Sequence, residues 1–437
     1  MISTKYRIGH TATAALTLIL STATSTVVSG QPAMMSSGEN EQLSLDKLQA
    51  SELAEPAVAP SLDLKKVAPL PQPVPTVEPA VDMDDPAFFE EPPETETAGD
   101  ETGHEHKLVI LGSEVAPGTA TRLAWSTTGT MSGLATPTPV MVIKGKTSGK
   151  TMCMTAAVHG DELNGIEIVR RVMYDIDPEK LTGNIIGVPI VNLQGFQRGS
   201  RYLPDRRDLN RYFPGEADGS LASRIASSLF NEVIVHCDFL VDMHTGSLRR
   251  TNMPQIRADI RHEKVADLTE GFGKVVVIHS TGSPGMLRFA AVAQGIPAVT
   301  LEVGESLRIQ KEQIAIGVSS INRLLEHQGM YSRLFTWGEP EPIYYKSSWI
   351  RAESGGILFS KKKQGDMVMV GEMLGTITDP ITNETSDILS TVNGRIIGMA
   401  VDQFVMPGFA CYHIGIEASE EVLAEQDSAE SDEIDIE

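Results

Sequence analysis

Two short stretches carry residue types suited to metal chemistry. Val158-His159-Gly160-Asp161-Glu162 closes an apolar run from Met152 to Val158, and Asp242-Met243-His244-Thr245-Gly246 overlaps the end of another, from Phe239 to Met243. Both runs read as buried strands, and α/β proteins bind ligands where such strands end. His159 and Glu162 lie three apart across a strand-to-helix turn, so the curling backbone brings both side chains to one point, with Gly160 easing the turn. A lone His-x-x-Glu is common in surface turns; His244, ending a second strand of the same sheet, gives the pair weight. Two imidazoles and one carboxylate form the donor set of a catalytic zinc site, with the fourth position left to water. The expectation is one zinc ion per chain and metal-assisted hydrolysis.

A second stretch, Arg201 to Gly215, is basic and amide-rich and is broken by Pro204, Pro214 and Gly215. It makes a poor helix and a poor strand. It suits a loop that grips a carboxylate, because guanidinium offers a planar fork of donors.

To position these groups the chain must alternate strands with helices. Apolar spacing predicts strands over 107–111, 121–126, 140–143, 151–158, 185–191, 238–243, 274–278 and 298–303, and helices over 163–174, 221–235, 286–294 and 314–328. Such alternation indicates an α/β domain, placed at 106–338, with a mostly parallel sheet covered by helices on both faces. Leu248 to Arg257 and Ser280 to Gly285 read as loops that shape the pocket. After Trp337 come short strands punctuated by glycine, as in Lys363-Gln364-Gly365-Asp366 and Val392-Asn393-Gly394, which predict a β-rich C-terminal module over 339–416. Residues 343–416 resemble the biotinyl/lipoyl-type barrel-sandwich fold. No carrier lysine stands at a hairpin tip, so the module is read as structural.

The net charge of −22 belongs to the ends. Residues 39–105 hold 17 acidic against 3 basic residues, and residues 417–437 hold 10 acidic and none basic. The body is formally neutral, which argues against a nucleic-acid surface. Lys5 and Arg7, then an apolar stretch near Thr13 to Leu20 and small residues up to Gly30, have the order of a secretory signal peptide over 1–30. Export to the periplasm or the extracellular space follows, with no stable membrane span after cleavage. Residues 31–105 read as a disordered Pro/Ala/acidic linker and 417–437 as a disordered acidic tail. Cys153, Cys237 and Cys411 form no framework and are read as small apolar packing residues. His236, His262, His279 and His413 lie outside any ligand spacing, and Asp161 suits a turn cap.

Together, His159-Gly160-Asp161-Glu162, Arg207-Asp208-Leu209-Asn210-Arg211, Asp242-Met243-His244-Thr245-Gly246 and Thr300-Leu301-Glu302-Val303-Gly304 resemble the succinylglutamate desuccinylase/aspartoacylase family, relatives of the zinc carboxypeptidases. The resemblance implies a zinc-carboxypeptidase-like sheet and zinc held by His159, Glu162 and His244. It makes Glu302 the general base, a role that a strand-end glutamate suits on its own, with Glu305 as its nearest rival. It gives the substrate's carboxylate to Asn210 and Arg211, with Arg207 alongside. Asp208 and Asp242 would orient the ligating histidines through their second ring nitrogens. One further arginine would stabilise the oxyanion. Arg201, Arg206 and Arg207 compete for that role and Arg201 is favoured; Arg206 stands where glycine is common. A tyrosine near the substrate carboxylate is expected from Tyr344, Tyr345 or Tyr412.

The expected activity is zinc-dependent hydrolysis of an amide or ester bond in an N-acylated amino acid or similar small carboxylate. The alternatives are an exported carboxypeptidase-like enzyme acting on peptides, including cell-wall peptides, and a non-catalytic zinc-binding protein.

Overall fold

The computed structural model describes residues 107–126, 137–332, 342–401 and 403–418. The expected signal peptide, linker and acidic tail lie outside the described residues. The first half of the chain contributes β1 (Leu108–Ile110), β2 (Ser113–Val115), β3 (Thr119–Trp125), β4 (Thr138–Lys144), β5 (Thr147–Ala156), α1 (Leu163–Asp175), β6 (Thr182–Val188), α2 (Leu193–Gln197) and α3 (Leu221–Glu232). Then follow β7 (Phe239–Gly246), β8 (Arg250–Ala258), α4 (Glu263–Glu270), β9 (Val276–His279), α5 (Leu287–Ala293), β10 (Ala298–Glu305) and α6 (Lys311–His327).

Strands β6, β5, β7 and β10 lie side by side and parallel, with β4 antiparallel to β6, β3 antiparallel to β4 in turn, and β8 antiparallel to β10. This is the mixed α/β sheet with helices on both faces that the periodicity predicts. Strand alternation decides which helix covers which side chain. Met152, Met154 and Ala156 of β5, Val241 and Met243 of β7, and Val299, Leu301 and Val303 of β10 share one core with α1, α4 and α6. Cys153, Leu240 and Ala298 share the opposite core with α3 and α5.

Leu248 to Arg257, expected as a loop, is mostly strand: β8 begins at Arg250. Its apolar alternation is interrupted at Met253-Pro254, which hides the strand from a period-two reading.

The C-terminal strands are β11 (Ile343–Tyr344), β12 (Lys346–Arg351), β13 (Gly356–Ser360), β14 (Met367–Val368), β15 (Met373–Thr378), β16 (Thr385–Leu389), β17 (Gly394–Ala400), β18 (Phe404–Val405) and β19 (Ala410–Ile416). β16, β15, β13 and β18 form a separate four-stranded sheet, whereas β17, β19 and β12 extend the central sheet through β8.

Cys153 and Cys237 are joined in a disulfide with Cα atoms 5.7 Å apart, which corrects their reading as unlinked packing residues. Parallel pairing of Met152 with Phe239 and Cys153 with Leu240 brings the two cysteines together across 84 residues of sequence. Cys411 is free and buried.

Candidate metal centre and substrate pocket

The sheet register builds the site in rows. Along the face covered by α3 and α5, Cys153, Leu240 and Ala298 are neighbours on β5, β7 and β10. Two residues further on, Thr155, Asp242 and Thr300 stand side by side, and then His244 beside Glu302. Antiparallel β8 adds Arg257 opposite Thr300 and Gln255 opposite Glu302. The face is therefore apolar where the strands enter and charged where they end. Each side chain faces inward because it is an even number of residues from a core position.

His159 and Glu162 come from the turn between β5 and α1. Gly160 is required there by close approach, since a Cβ would lie 2.1 Å from the backbone carbon of Gly195. Glu162 occupies the N-cap position of α1 but makes no capping hydrogen bond. Its carboxylate is committed elsewhere. Oε1 lies 2.8 Å from His159 Nδ1, and Oε2 lies 2.9 Å from His244 Nδ1 and 3.1 Å from the Thr245 amide nitrogen. The two Nδ1 atoms are 3.2 Å apart. Each outer Nε2 meets a carboxylate: Asp208 at 3.1 Å for His159 and Asp242 at 2.8 Å for His244. Asp242 is itself held by the Thr155 hydroxyl at 2.6 Å.

The donor chemistry fits a divalent ion. Ligand atoms about 2.0–2.2 Å from a tetrahedral centre stand roughly 3.3 Å apart. The observed spacings are slightly tighter, and His159, Glu162 and His244 are the cluster among the described residues with metal-ligand composition. The electrostatics agree. Burial alone would push the Glu162 carboxyl up, but the two imidazoles outweigh it and hold it far below the usual carboxylate range. Burial would likewise lower His244, yet Asp242 and Glu162 raise it well above the histidine range. The cluster favours a positive charge at its centre.

Arg201 is buried beside these donors. Nη1 lies 3.1 Å from His159 Nδ1 and 3.3 Å from Glu162 Oε1, and Nη2 donates to Asp208 at 3.0 Å. Of the three competing arginines it is the one in the pocket. Arg206 is exposed in a left-handed conformation, φ 68°, which explains why glycine suits that position. Arg207, expected at the substrate, is exposed and bonds Asp205 and the Tyr212 hydroxyl instead. Asn210 and Arg211 line the pocket; the Asn210 side chain accepts from the Leu287 amide at 2.9 Å, so α5 fixes it.

Glu302 lines the pocket, whereas Glu305 turns away to Arg308. Asn252 Nδ2 donates to Glu302 Oε2 at 3.0 Å, and Arg257 Nε lies 3.8 Å from Oε1. None of the three candidate tyrosines lines the pocket: Tyr344 is packed among Val276, Ile278 and Ile397, the Tyr412 hydroxyl is spent on Leu374 and Ser360, and Tyr345 points elsewhere. Trp349 of β12 lines the wall instead, stacked on His413 with ring centroids 4.3 Å apart. Asp161, read as a turn cap, has its Oδ1 buried without a partner, and burial followed by Glu162 raises its pKa.

The segment 248–257 lies at the pocket as expected, but sequence reading gave no role to Arg250, Asn252 or Arg257 and missed Arg288 and Trp349; all five line the pocket. Arg250 lies over Trp349 and Phe409, with its Cζ 5.0 and 4.9 Å from the ring centroids. Arg288 donates to Thr300 Oγ1 at 3.2 Å and to the Ser280 carbonyl at 2.6 Å. Burial, reinforced by neighbouring guanidinium groups, pulls both Arg250 and Arg288 down to about 10. The signal that could have found Arg250 and Arg257 is their place just beyond His244, on the next strand of the sheet.

Comparison with known proteins agrees with this geometry. Residues 148–328 match the succinylglutamate desuccinylase/aspartoacylase catalytic domain. The chain is 26% identical over 253 residues to an N-alpha-acetyl-L-2,4-diaminobutyric acid deacetylase of Halomonas elongata, covering 55% of this chain and 74% of that protein. It is 30% identical over 176 residues to a succinylglutamate desuccinylase of Burkholderia mallei, covering 36% of this chain and 49% of that protein. A crystal structure of a succinylglutamate desuccinylase from Silicibacter sp. shares the fold at a TM-score of 0.61 and 24% identity, covering 68% of this chain and 93% of that one. With four motifs on one sheet end, the chain is similar to the succinylglutamate desuccinylase/aspartoacylase family, whose catalytic domain matches residues 148–328, and the two relatives named above are a deacetylase and a desuccinylase.

Proposed function

We propose that the protein is a zinc-dependent amidohydrolase that removes the acyl group from an N-acylated amino acid carrying a second anionic group. The observation that carries this reading is the convergence of His159, Glu162 and His244 at one point, with Glu302 in the same pocket. Zinc held there supplies a Lewis acid and makes water acidic enough to ionise near neutrality, at about pH 7.

The chain's own residues do the rest. Asn210 and Arg211 hold the amino acid's carboxylate and so set where the amide carbonyl lies. Arg201, already desolvated, donates to the oxygen that gains charge as the carbonyl carbon becomes tetrahedral; a preorganised donor in a dry site costs no reorganisation at that moment. Glu302 takes a proton from the attacking water and hands it to the leaving amine. Asp208 and Asp242 keep the two histidines oriented. Arg250, Arg257 and Arg288 crowd one wall, and an anion there relieves their repulsion. That wall favours an acidic amino acid or a dicarboxylic acyl group over a neutral or cationic one.

Two finer readings go with this. We read the C-terminal strands as the barrel-sandwich-like module expected from the sequence, in a structural role. We also read the chain as exported, because a buried disulfide suits an oxidising compartment; cell fractionation that finds it in the cytoplasm would reject this. The test of function is zinc content followed by turnover of N-acetyl-alanine, N-acetyl-aspartate, N-succinyl-alanine and short peptides. Zinc-dependent release of the free amine, fastest from the dianions, is expected. Turnover of peptides alone would favour the carboxypeptidase-like alternative, and bound zinc with no turnover of any of them would reject an enzyme.

A further inference from the structure

Strand β8 contains an irregularity that changes what the pocket holds. Glu302 pairs with Gln255 and Gly304 with Asn252, so two steps along β10 match three along β8. The extra residue is a bulge at Met253-Pro254, where Pro254 has no N–H to contribute to a ladder. In an unbroken strand Asn252 and Gln255 would point to opposite faces. The bulge resets the parity, and the burial pattern records it: Arg250, Asn252, Gln255 and Arg257 are buried, while Met253 and Pro254 are both only half-buried. Asn252 thus arrives on the same face as Glu302 and donates to its Oε2 at 3.0 Å.

The other neighbours of that carboxylate hold it less closely. Gln255 stands opposite Glu302 in register and is fully buried, yet neither of its amide atoms has a hydrogen-bond partner. Arg257 Nε forms a longer ion pair with Oε1, at 3.8 Å. Asn252 itself fits against a glycine. It pairs with Gly398 of β17, and a Cβ at Gly398 would come within 2.6 Å of Asn252 Oδ1. A glycine far along the chain therefore leaves the room in which the amide facing Glu302 lies.

We propose that Asn252 is a positioning residue for Glu302, delivered by the β8 bulge and given room by Gly398 of the C-terminal segment. This rests on Glu302 being the proton carrier. A carboxylate that must meet a proton within about 2.6–3.2 Å works only if its rotamer is fixed. The hydrogen bond from Asn252 engages Oε2, and Oε1, with the longer Arg257 contact at 3.8 Å, is the oxygen that takes the proton.

The test uses the zinc-loaded full chain and three variants, Asn252→Asp, Asn252→Ala and Gly398→Ala, with Glu302→Gln as reference. We expect kcat on the best N-acyl amino acid to fall about tenfold or more in all three, with KM within about threefold and zinc content unchanged. Asn252→Asp, which puts a like charge against Glu302, falls furthest. Crystal structures of Asn252→Ala and Gly398→Ala, which need no substrate, should show the Glu302 carboxylate displaced. The proposal is overturned if kcat stays within about twofold of the parent, if the carboxylate does not move, or if zinc content and KM fail together with kcat. An inactive Glu302→Gln beside unaffected Asn252 variants sinks this inference alone. An active Glu302→Gln sinks the proposed mechanism with it.

Discussion

The two faces of one set of strands are built to different ends. On β5, β7 and β10 the side chains facing α1, α4 and α6 are apolar through the middle of the sheet: Met152, Met154 and Ala156; Val241 and Met243; Val299, Leu301 and Val303. Side chains one residue out of phase are apolar only at the entry end, at Cys153, Leu240 and Ala298. They then turn polar through Thr155, Asp242 and Thr300 and end in His244 and Glu302. The first face holds the strands in register. The second uses that register to bring groups from three strands to one point. Stability and chemistry are thus separated by a single step along each strand.

Substitutions on each face test that separation, and the largest effect belongs to Glu302. Glu302→Gln should lower kcat/KM by about 10²–10⁴-fold while leaving zinc content and melting temperature close to the parent, read by steady-state kinetics and thermal unfolding. Equal loss of stability would show that the polar face also holds the fold.

Met243→Ala, one residue before His244 and fully buried on the other face, should do the reverse. It should cost about 2–5 kcal/mol in urea unfolding through the lost side chain and the cavity left behind. Zinc affinity of the folded protein should stay near the parent's. A variant that unfolds normally but binds no zinc would contradict the division.

A smaller effect is expected behind the candidate metal ligands. Asp242→Asn keeps the shape but removes the charge that orients His244 through its Nε2 at 2.8 Å. Zinc affinity should drop about 10–100-fold by competition with a chromophoric chelator. Unchanged affinity would mean that Thr155 and the sheet alone hold the ring.

The smallest lies at the pocket wall. Burial, then Arg257 and Arg250, hold His413 well below the ordinary histidine value of 6.5, so it stays neutral in the folded protein. Below that value the unfolded chain binds a proton that the folded one does not, so protonation favours unfolding. Its share of stability is complete above about pH 6.5 and falls away as pH drops further. A His413→Phe variant should show a flatter urea midpoint between about pH 5 and 6.5. Parallel slopes for parent and variant would rule the effect out.

Much of this was legible in the chain because the strands that carry His159, His244 and Glu302 have long apolar runs, which read as buried whatever their neighbours. The donors sit at the ends of those runs, where a sheet must open. Second-ring partners were legible for the same reason: Asp242 is two residues from His244 and shares its face. What escaped depends on pairing between distant segments. Cys153 and Cys237 meet only once β5 lies beside β7. Asn252 turns inward only because β8 bulges, and the bulge erased the alternation that would have revealed the strand. Trp349 reaches the pocket because β12, β19 and β17 extend the central sheet, an arrangement that no local pattern encodes. Arg207 misled because a fork of donors in a basic loop looks alike whether it faces a ligand or an adjacent aspartate.

The central claim is that one buried point on this sheet binds a divalent ion through residues 159, 162 and 244. Calorimetric titration of chelator-treated protein with zinc measures it most directly. The account predicts one ion per chain, with binding abolished in Glu162→Ala and His244→Ala variants that remain folded by circular dichroism. No binding to the parent, or binding that survives both substitutions, would contradict it.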